Sequence, residues 1–161
     1  MTSNFKLKVA VIIENDNKIY LQKEKFVSKD EHLWNIVTGS YEATDSGIIE
    51  TAKRECLEET GLRVEPTGIV HITMIKKPDS LRIYVFMTAK TLSTDFRLPD
   101  REEQIRLNES IIEQGWFSKD DINKLEFCSD IVKETLLNYL KDPQIYPFDL
   151  INYQDEEIKF L

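Results

Sequence analysis

Phe5, Leu7 and Val9 alternate with Lys6 and Lys8, and the chain then runs apolar without a break from Val9 to Ile13. Alternation at period two describes a strand with one wet face, whereas a continuous β-branched run describes a strand covered on both. The segment therefore predicts a strand that enters a two-sided core. Glu14-Asn15-Asp16-Asn17 has the composition of a turn. Lys18–Lys23 returns as a second strand and closes a hairpin. Two more strands are predicted at Gly68–Ile75 and Leu81–Ala89, joined by a basic loop through Lys76, Lys77 and Pro78. The second of these is apolar enough to be central. Val64-Glu65-Pro66 interrupts the pattern before them. From Leu92 to Gln114 the chain reads as polar and irregular, a length that marks a functional loop. Ser118 and Asp121 open a short helix as a Ser-x-x-acid start. Ser129 or Asp130 caps a longer helix over Ile131–Leu140, which Asp142-Pro143 ends. The tail from Ile145 to Ile151 is too apolar to be left in water and is expected to dock.

Helical periodicity is strongest between Ile48 and Thr60. Ile48, Ile49, Ala52 and Cys56 make an apolar stripe, with Asp45 or Ser46 as the N-terminal cap and Gly61 as a left-handed stop. At about 100° per residue, Glu55, Glu58 and Glu59 fall within roughly a 100° arc along the border of that stripe. Like charges at this spacing repel, and more so when partly buried. Arg54 reaches Glu58 at i,i+4, with Glu50 as a further neighbour at i−4. A divalent cation with a preference for hard oxygen ligands, magnesium or manganese, removes the rest of the repulsion.

Composition narrows the picture. The 161 residues, 41% apolar and 10% aromatic, suit one folded unit over 1–161. No apolar run is long enough to span a membrane. The opening Met-Thr-Ser-Asn leads into a strand pattern without a signal-peptide core, and the reading is a cytoplasmic protein. Cys56 and Cys128 give no disulfide framework, and two distant histidines, His32 and His71, give no zinc spacing. A net charge of −8 argues against general nucleic-acid binding. It fits a protein that meets anionic small molecules through a cation.

The stretch 39–62, ending Arg54-Glu-Cys-Leu-Glu-Glu-Thr-Gly-Leu62, resembles the signature box of the Nudix hydrolases. Its last nine residues match the family pattern at every specified position. Its first half departs: Gly39 to Arg54 is one residue too long, and the family's first Glu is replaced by Asp45 or Ser46. The resemblance implies an α/β fold, the Nudix-type α/β/α sandwich with a mixed β-sheet, with the C-terminal helix and docked tail spanning 129–161. It implies hydrolysis of a nucleoside di- or triphosphate or related organic pyrophosphate with Mg2+, or Mn2+, as cofactor. Glu55, Glu58, Glu59 and the carbonyl of Thr38 become the metal ligands, and Arg54 orients the glutamates. Glu55 or a loop acid, Glu109 or Glu113, becomes the base. Read from the residues themselves, Lys76, Lys77 and Arg82 of the basic loop are candidates for holding phosphate, Gly39 allows the backbone a close approach to a metal or phosphate, and Trp34 is a candidate substrate contact. Trp34 also reads as a core residue, and Phe26, Tyr41, Lys23, Lys25 and Lys29 are further candidates. ADP-ribose, dinucleoside polyphosphates and nucleotide-sugars stay open as substrates, as does a non-catalytic nucleotide sensor, and there is room for a homodimer. A looser similarity of the last third points to a bacterial Nudix branch of nucleotide and thiamine-pyrimidine pyrophosphate phosphatases.

Overall fold

A computed structural model describes residues 4–26 and 31–151. Lys29 and residues 152–161 of the tail lie outside them. β1 (Asn4–Asn15) turns into β2 (Lys18–Phe26) through Asp16 and Asn17, both at positive φ (47° and 61°). Asn and Asp tolerate that region best after glycine, which is why this tight turn can close without one. β3 (Glu31–Asn35) and β4 (Val37–Ser40) follow, then α1 (Ile48–Thr60). β5 (Val64–Lys77) and β6 (Ser80–Thr91) form a long hairpin, α2 (Arg101–Leu107) leads to β7 (Ile111–Phe117), and α3 (Lys119–Lys124) and α4 (Asp130–Lys141) end the order of main elements.

The strands make one seven-stranded sheet with the path β3-β2-β1-β6-β5, β4 pairing with β1 and β7 with β2. β1 and β6 run parallel and the other pairs antiparallel, so the sheet is mixed. The unbroken apolar run of β1 explains the layering. Val9, Val11 and Ile13 pack with Ala52, Cys56 and Leu62 on the α1 side, while Ala10 and Ile12 pack with Ile122, Val132 and Leu136 on the α3/α4 side. Each of the valine, isoleucine and leucine side chains among them that is fully removed from water contributes about 1.5–3 kcal/mol to the sandwich.

β2 pairs with β1 only at the hairpin end, Glu14↔Ile19 and Asn15↔Lys18. From Val11 down to Lys8 the place beside β1 belongs to β4. The sheet splits there, and the split holds the site.

Three expectations need correction. Val64-Glu65-Pro66 does not break the chain: β5 runs through it, with a register shift between Pro66 and Gly68 on the outer strand, where a missing N–H is tolerated. The stretch 92–114 is not loop throughout. Asp100 and Glu103 form a reciprocal capping box that starts α2, and β7 begins at Ile111. Neither Asp45 nor Ser46 caps α1, whose N-cap is Gly47 with no side-chain bond. The other ends behave as expected. Gly61 adopts the left-handed cap at φ 73°, and Ser118 and Ser129 cap α3 and α4. Downstream, Tyr146 exchanges two 2.8 Å backbone hydrogen bonds with Ile69, tying the described part of the tail to β5.

Candidate active site

Arg54 is the centre of the arrangement. Its Nε and Nη2 donate to the two oxygens of Asp45 at 2.9 Å each, Nη2 also donates to the Ser40 carbonyl at 2.9 Å, and Nη1 donates to Glu55 at 2.9 Å and Glu58 at 3.2 Å. One guanidinium thus joins the box loop, β4 and two box acids. Asp45 is buried, and it also accepts from Thr51 Oγ1 and from the Glu42 N–H. The hydrogen bonds from Arg54 hold its carboxyl down at about 2, against the opposing effect of burial. Of the two sequence candidates, Asp45 is the one that Arg54 binds. Glu50 takes no part and pairs with Lys53 at 3.8 Å.

The three box acids differ in burial. Glu58 is the most open and Glu55 is largely covered, while Glu59 is 2% exposed. Glu59 therefore lies inside the buried stripe with Thr51, Ala52, Cys56 and Thr60, not along its border, and Ile48 and Ile49 are only half-buried. Burial raises the Glu59 carboxyl well above the usual range, and the nearby charges of Glu109, Glu24 and Glu55 raise it further. Gln22, itself fully buried, donates to Glu59 at 2.5 Å. Burial also raises Glu55, an effect that Arg54 opposes.

A cavity of about 570 Å³ opens at the split, lined among others by Lys8, Glu24, Thr38, Lys77, Arg82 and Glu109. Glu109 follows Asn108, the left-handed cap of α2 at φ 56°, which turns the chain back toward the cavity. Desolvation, with the charges of Glu24 and Glu55, brings its carboxyl up to about 7. Glu24 on β2 is raised by burial, partly offset by hydrogen bonds from Gln22 and Asn35.

The remaining candidates separate cleanly. Lys77 and Arg82 line the cavity with Lys8, whereas Lys76 does not, because alternate residues of a strand face opposite ways. Glu113 is exposed on β7, 3.8 Å from Lys23, and is not part of the cavity wall. Trp34 is a core side chain, 6% exposed and edge-on to Phe117 at 4.6 Å, so it offers no stacking face to a substrate. Gly39 does not make room for a ligand. A Cβ there would lie 1.9 Å from Glu55 Cδ, so the space belongs to the Glu55 side chain crossing the β4 backbone. Phe26 lines the cavity, and Tyr41 donates to the Asp45 carbonyl at 3.2 Å.

Sequence reasoning missed Lys8, Gln22 and Glu24. Tyr20, Gln22 and Glu24 share one side of β2 by period two, but nothing local shows that this side meets α1. The burial of Glu59 was legible: Ala52, Cys56 and Glu59 recur at i, i+4 and i+7.

Among the described residues, no three His, Cys, Asp or Glu side chains stand close enough to enclose a metal ion as they are. Arg54 draws Glu55 and Glu58 to itself while Gln22 holds Glu59. The donor chemistry still suits a hard divalent cation. It is all oxygen, and its acids raise one another's proton affinity with no Lys or Arg bonded to Glu59 among the described residues.

An α/β/α sandwich whose helix of acids is joined through Gln22 to a cavity walled by Lys8, Lys77 and Arg82 is the frame of a phosphoanhydride hydrolase. The NUDIX domain family matches residues 4–136, and the chain belongs to it. It is a Nudix hydrolase, of a family that cuts pyrophosphate linkages and typically works with divalent metals. It is 27% identical over 144 residues to "Phosphatase NudJ" of Shigella boydii and of Shigella sonnei, covering 89% of this chain and 88% of each relative. Among solved structures it resembles a NUDIX hydrolase from Nitrosomonas europaea, with TM-score 0.74, 24% identity, and 94% and 99% of the two chains covered. It also resembles a MutT protein from Methanosarcina mazei, with TM-score 0.67, 17% identity, and 88% and 96% covered. These two likenesses establish the fold. No helix among the described residues is long and apolar enough to cross a membrane.

Proposed function

We propose that this chain hydrolyses the phosphoric anhydride of a nucleoside di- or triphosphate, or of a related organic diphosphate, with Mg2+ or Mn2+ held by Glu55, Glu58, Glu59 and the Thr38 carbonyl. The observation that carries the reading is the buried Glu59 carboxylate, crowded by Glu55, Glu24 and Glu109 and bonded by no basic side chain among the described residues. A bound divalent ion supplies phosphate charge neutralisation and an acidified water. The residues supply the rest. Arg54 and Asp45 fix the orientation of the box acids, and Lys8, Lys77 and Arg82 face the phosphate chain across the cavity. Glu109, titrating near neutrality, takes the proton from the attacking water. Phosphate release, rather than pyrophosphate release, is supported by the name phosphatase that the Shigella relatives carry. A cytoplasmic setting suits Cys56, buried and outside any disulfide.

The test is turnover of a panel of nucleotides, ADP-ribose and organic diphosphates, with phosphate and pyrophosphate measured separately. The expected result is phosphate from one nucleotide or diphosphate class, lost in Glu59→Gln. Full activity of Glu59→Gln with magnesium would overturn the ligand assignment, and turnover confined to ADP-ribose would overturn the substrate.

A further inference from the structure

Resting on the reading above, we propose that Glu24 is a further carboxylate of the cation site, supplied by β2 from outside the box, and that Gln22 is the positioning residue that sets it beside Glu59. Gln22 is fully buried, and its single Nε2 donates to Glu24 Oε1 at 2.9 Å and to Glu59 Oε2 at 2.5 Å. Two acids on separate elements are thereby held on either side of one amide nitrogen. Asn35, from β3, donates to the same oxygen of Glu24 at 3.4 Å. Both amides hold Oε1, which leaves Oε2 for the cavity that Glu24 lines.

The backbone is built to the same end. Against β7, Lys23 faces Glu113 and Glu24 faces Ile111, so β7 holds one extra residue at this point. A bulge of this kind re-aims the side chains around it, and it falls at Glu24. A plain structural ion pair does not explain the acid. Lys8 is the basic side chain whose charge bears on Glu24, and its Nζ lies over the Tyr84 ring, 5.8 Å from the centroid; neither it nor Lys77 or Arg82, which line the same cavity, makes an ion pair to Glu24 among the described residues. Arg54 is engaged by Asp45, Glu55 and Glu58. Glu24, Glu55, Glu59 and Glu109 thus share one region, with no ion pair from Lys8, Lys77 or Arg82 to any of them among the described residues, and a divalent cation is the species that accounts for all four.

The experiment is calorimetric titration of the metal-free protein with Mn2+, paired with thermal melts with and without Mn2+. It uses the wild type, Glu24→Gln, Gln22→Met and Glu59→Gln. Glu24→Gln is expected to weaken Mn2+ binding by about tenfold or more and to shrink the melting-temperature gain from Mn2+. Its metal-free melting temperature should equal or exceed that of the wild type, since a like charge has been removed. Gln22→Met should weaken binding in the same direction, and the double variant should lose less than the two single losses combined. Because Glu24→Gln keeps shape and volume, the result does not hang on whether the Gln22 variant folds. Wild-type uptake that is lost in Glu59→Gln but intact in Glu24→Gln overturns this proposal alone. Absence of Mn2+ uptake by the wild type overturns it together with the reading it rests on.

Discussion

Arg54 and Asp45 meet as a two-pronged pair, nine residues apart in sequence, with each carboxylate oxygen 2.9 Å from its own guanidinium nitrogen. A planar fork on a carboxylate fixes orientation as well as charge. Asp45→Asn keeps the shape but removes the charge that holds Arg54, and it is expected to lower stability by about 2 kcal/mol at pH 7. Asp45 has its folded pKa depressed to about 2, so its contribution is full above the unfolded value near 4 and is lost as pH falls through about 2. Urea denaturation of both proteins at pH 7 and pH 3 should show the difference narrowing at the lower pH. A constant gap would mean that charge is not what holds the pair.

Gly39→Ala puts a carbon where the Glu55 side chain now lies. Gly39 is buried on β4, but the atoms nearest an added carbon belong to the Glu55 side chain, which can swing aside, so the protein should still fold. Displacing Glu55 by an ångström or more is expected to lower kcat/KM by roughly a hundredfold. Steady-state kinetics with a circular dichroism control checks this, and wild-type turnover in the variant would show that Glu55 can act from elsewhere.

Glu109 and Glu113 looked equivalent in the sequence and part company in the structure. Glu109→Gln is expected to abolish the acid limb of the pH–rate profile near 7, while Glu113→Gln leaves the profile unchanged. The metal-free protein provides a second readout. Glu109 has its folded pKa raised above its unfolded value near 4.5, so it destabilises the fold progressively as pH rises from about 4.5 to 7. Metal-free Glu109→Gln should therefore melt like the wild type at pH 4 and a few degrees higher at pH 8. The opposite order at pH 8 would mean that Glu109 is favourably paired there.

Lys76 and Lys77 are neighbours on opposite sides of β5. Lys77→Ala and Arg82→Ala are expected to raise KM about tenfold each for a diphosphate substrate, and Lys76→Ala less than twofold. The two cavity-side effects should fade with added salt. Equal effects at all three positions would indicate a general attraction at the hairpin tip rather than contact in the cavity.

These outcomes also mark what the linear chain discloses. The nine residues from Arg54 to Leu62 fix the helix, its stop and the acids because each feature depends on neighbours three or four positions away. Both faces of β1 were legible for a similar reason, since continuous apolarity needs cover on both sides. Glu24 and Gln22 were not, because their meaning depends on where β2 leaves β1, a relation between distant segments. Trp34 could be read as core or as stacking platform until Phe117 was known to stand against it. The stretch 92–114 hid a helix whose capping pair was visible in Asp100 and Glu103 but whose exposed apolar residues, such as Ile105, gave no buried stripe to follow.

The Tyr146–Ile69 bridge bears on how copies of this chain can meet. An open outer strand is a template on which another molecule's backbone can zip, and β5 is the outer strand of the sheet path here. Tyr146 occupies that rim from within, seated where Gly68 has no side chain to obstruct Ile145 and the Tyr146 carbonyl. Another chain pairing along β5 at Ile69 must first peel this segment away.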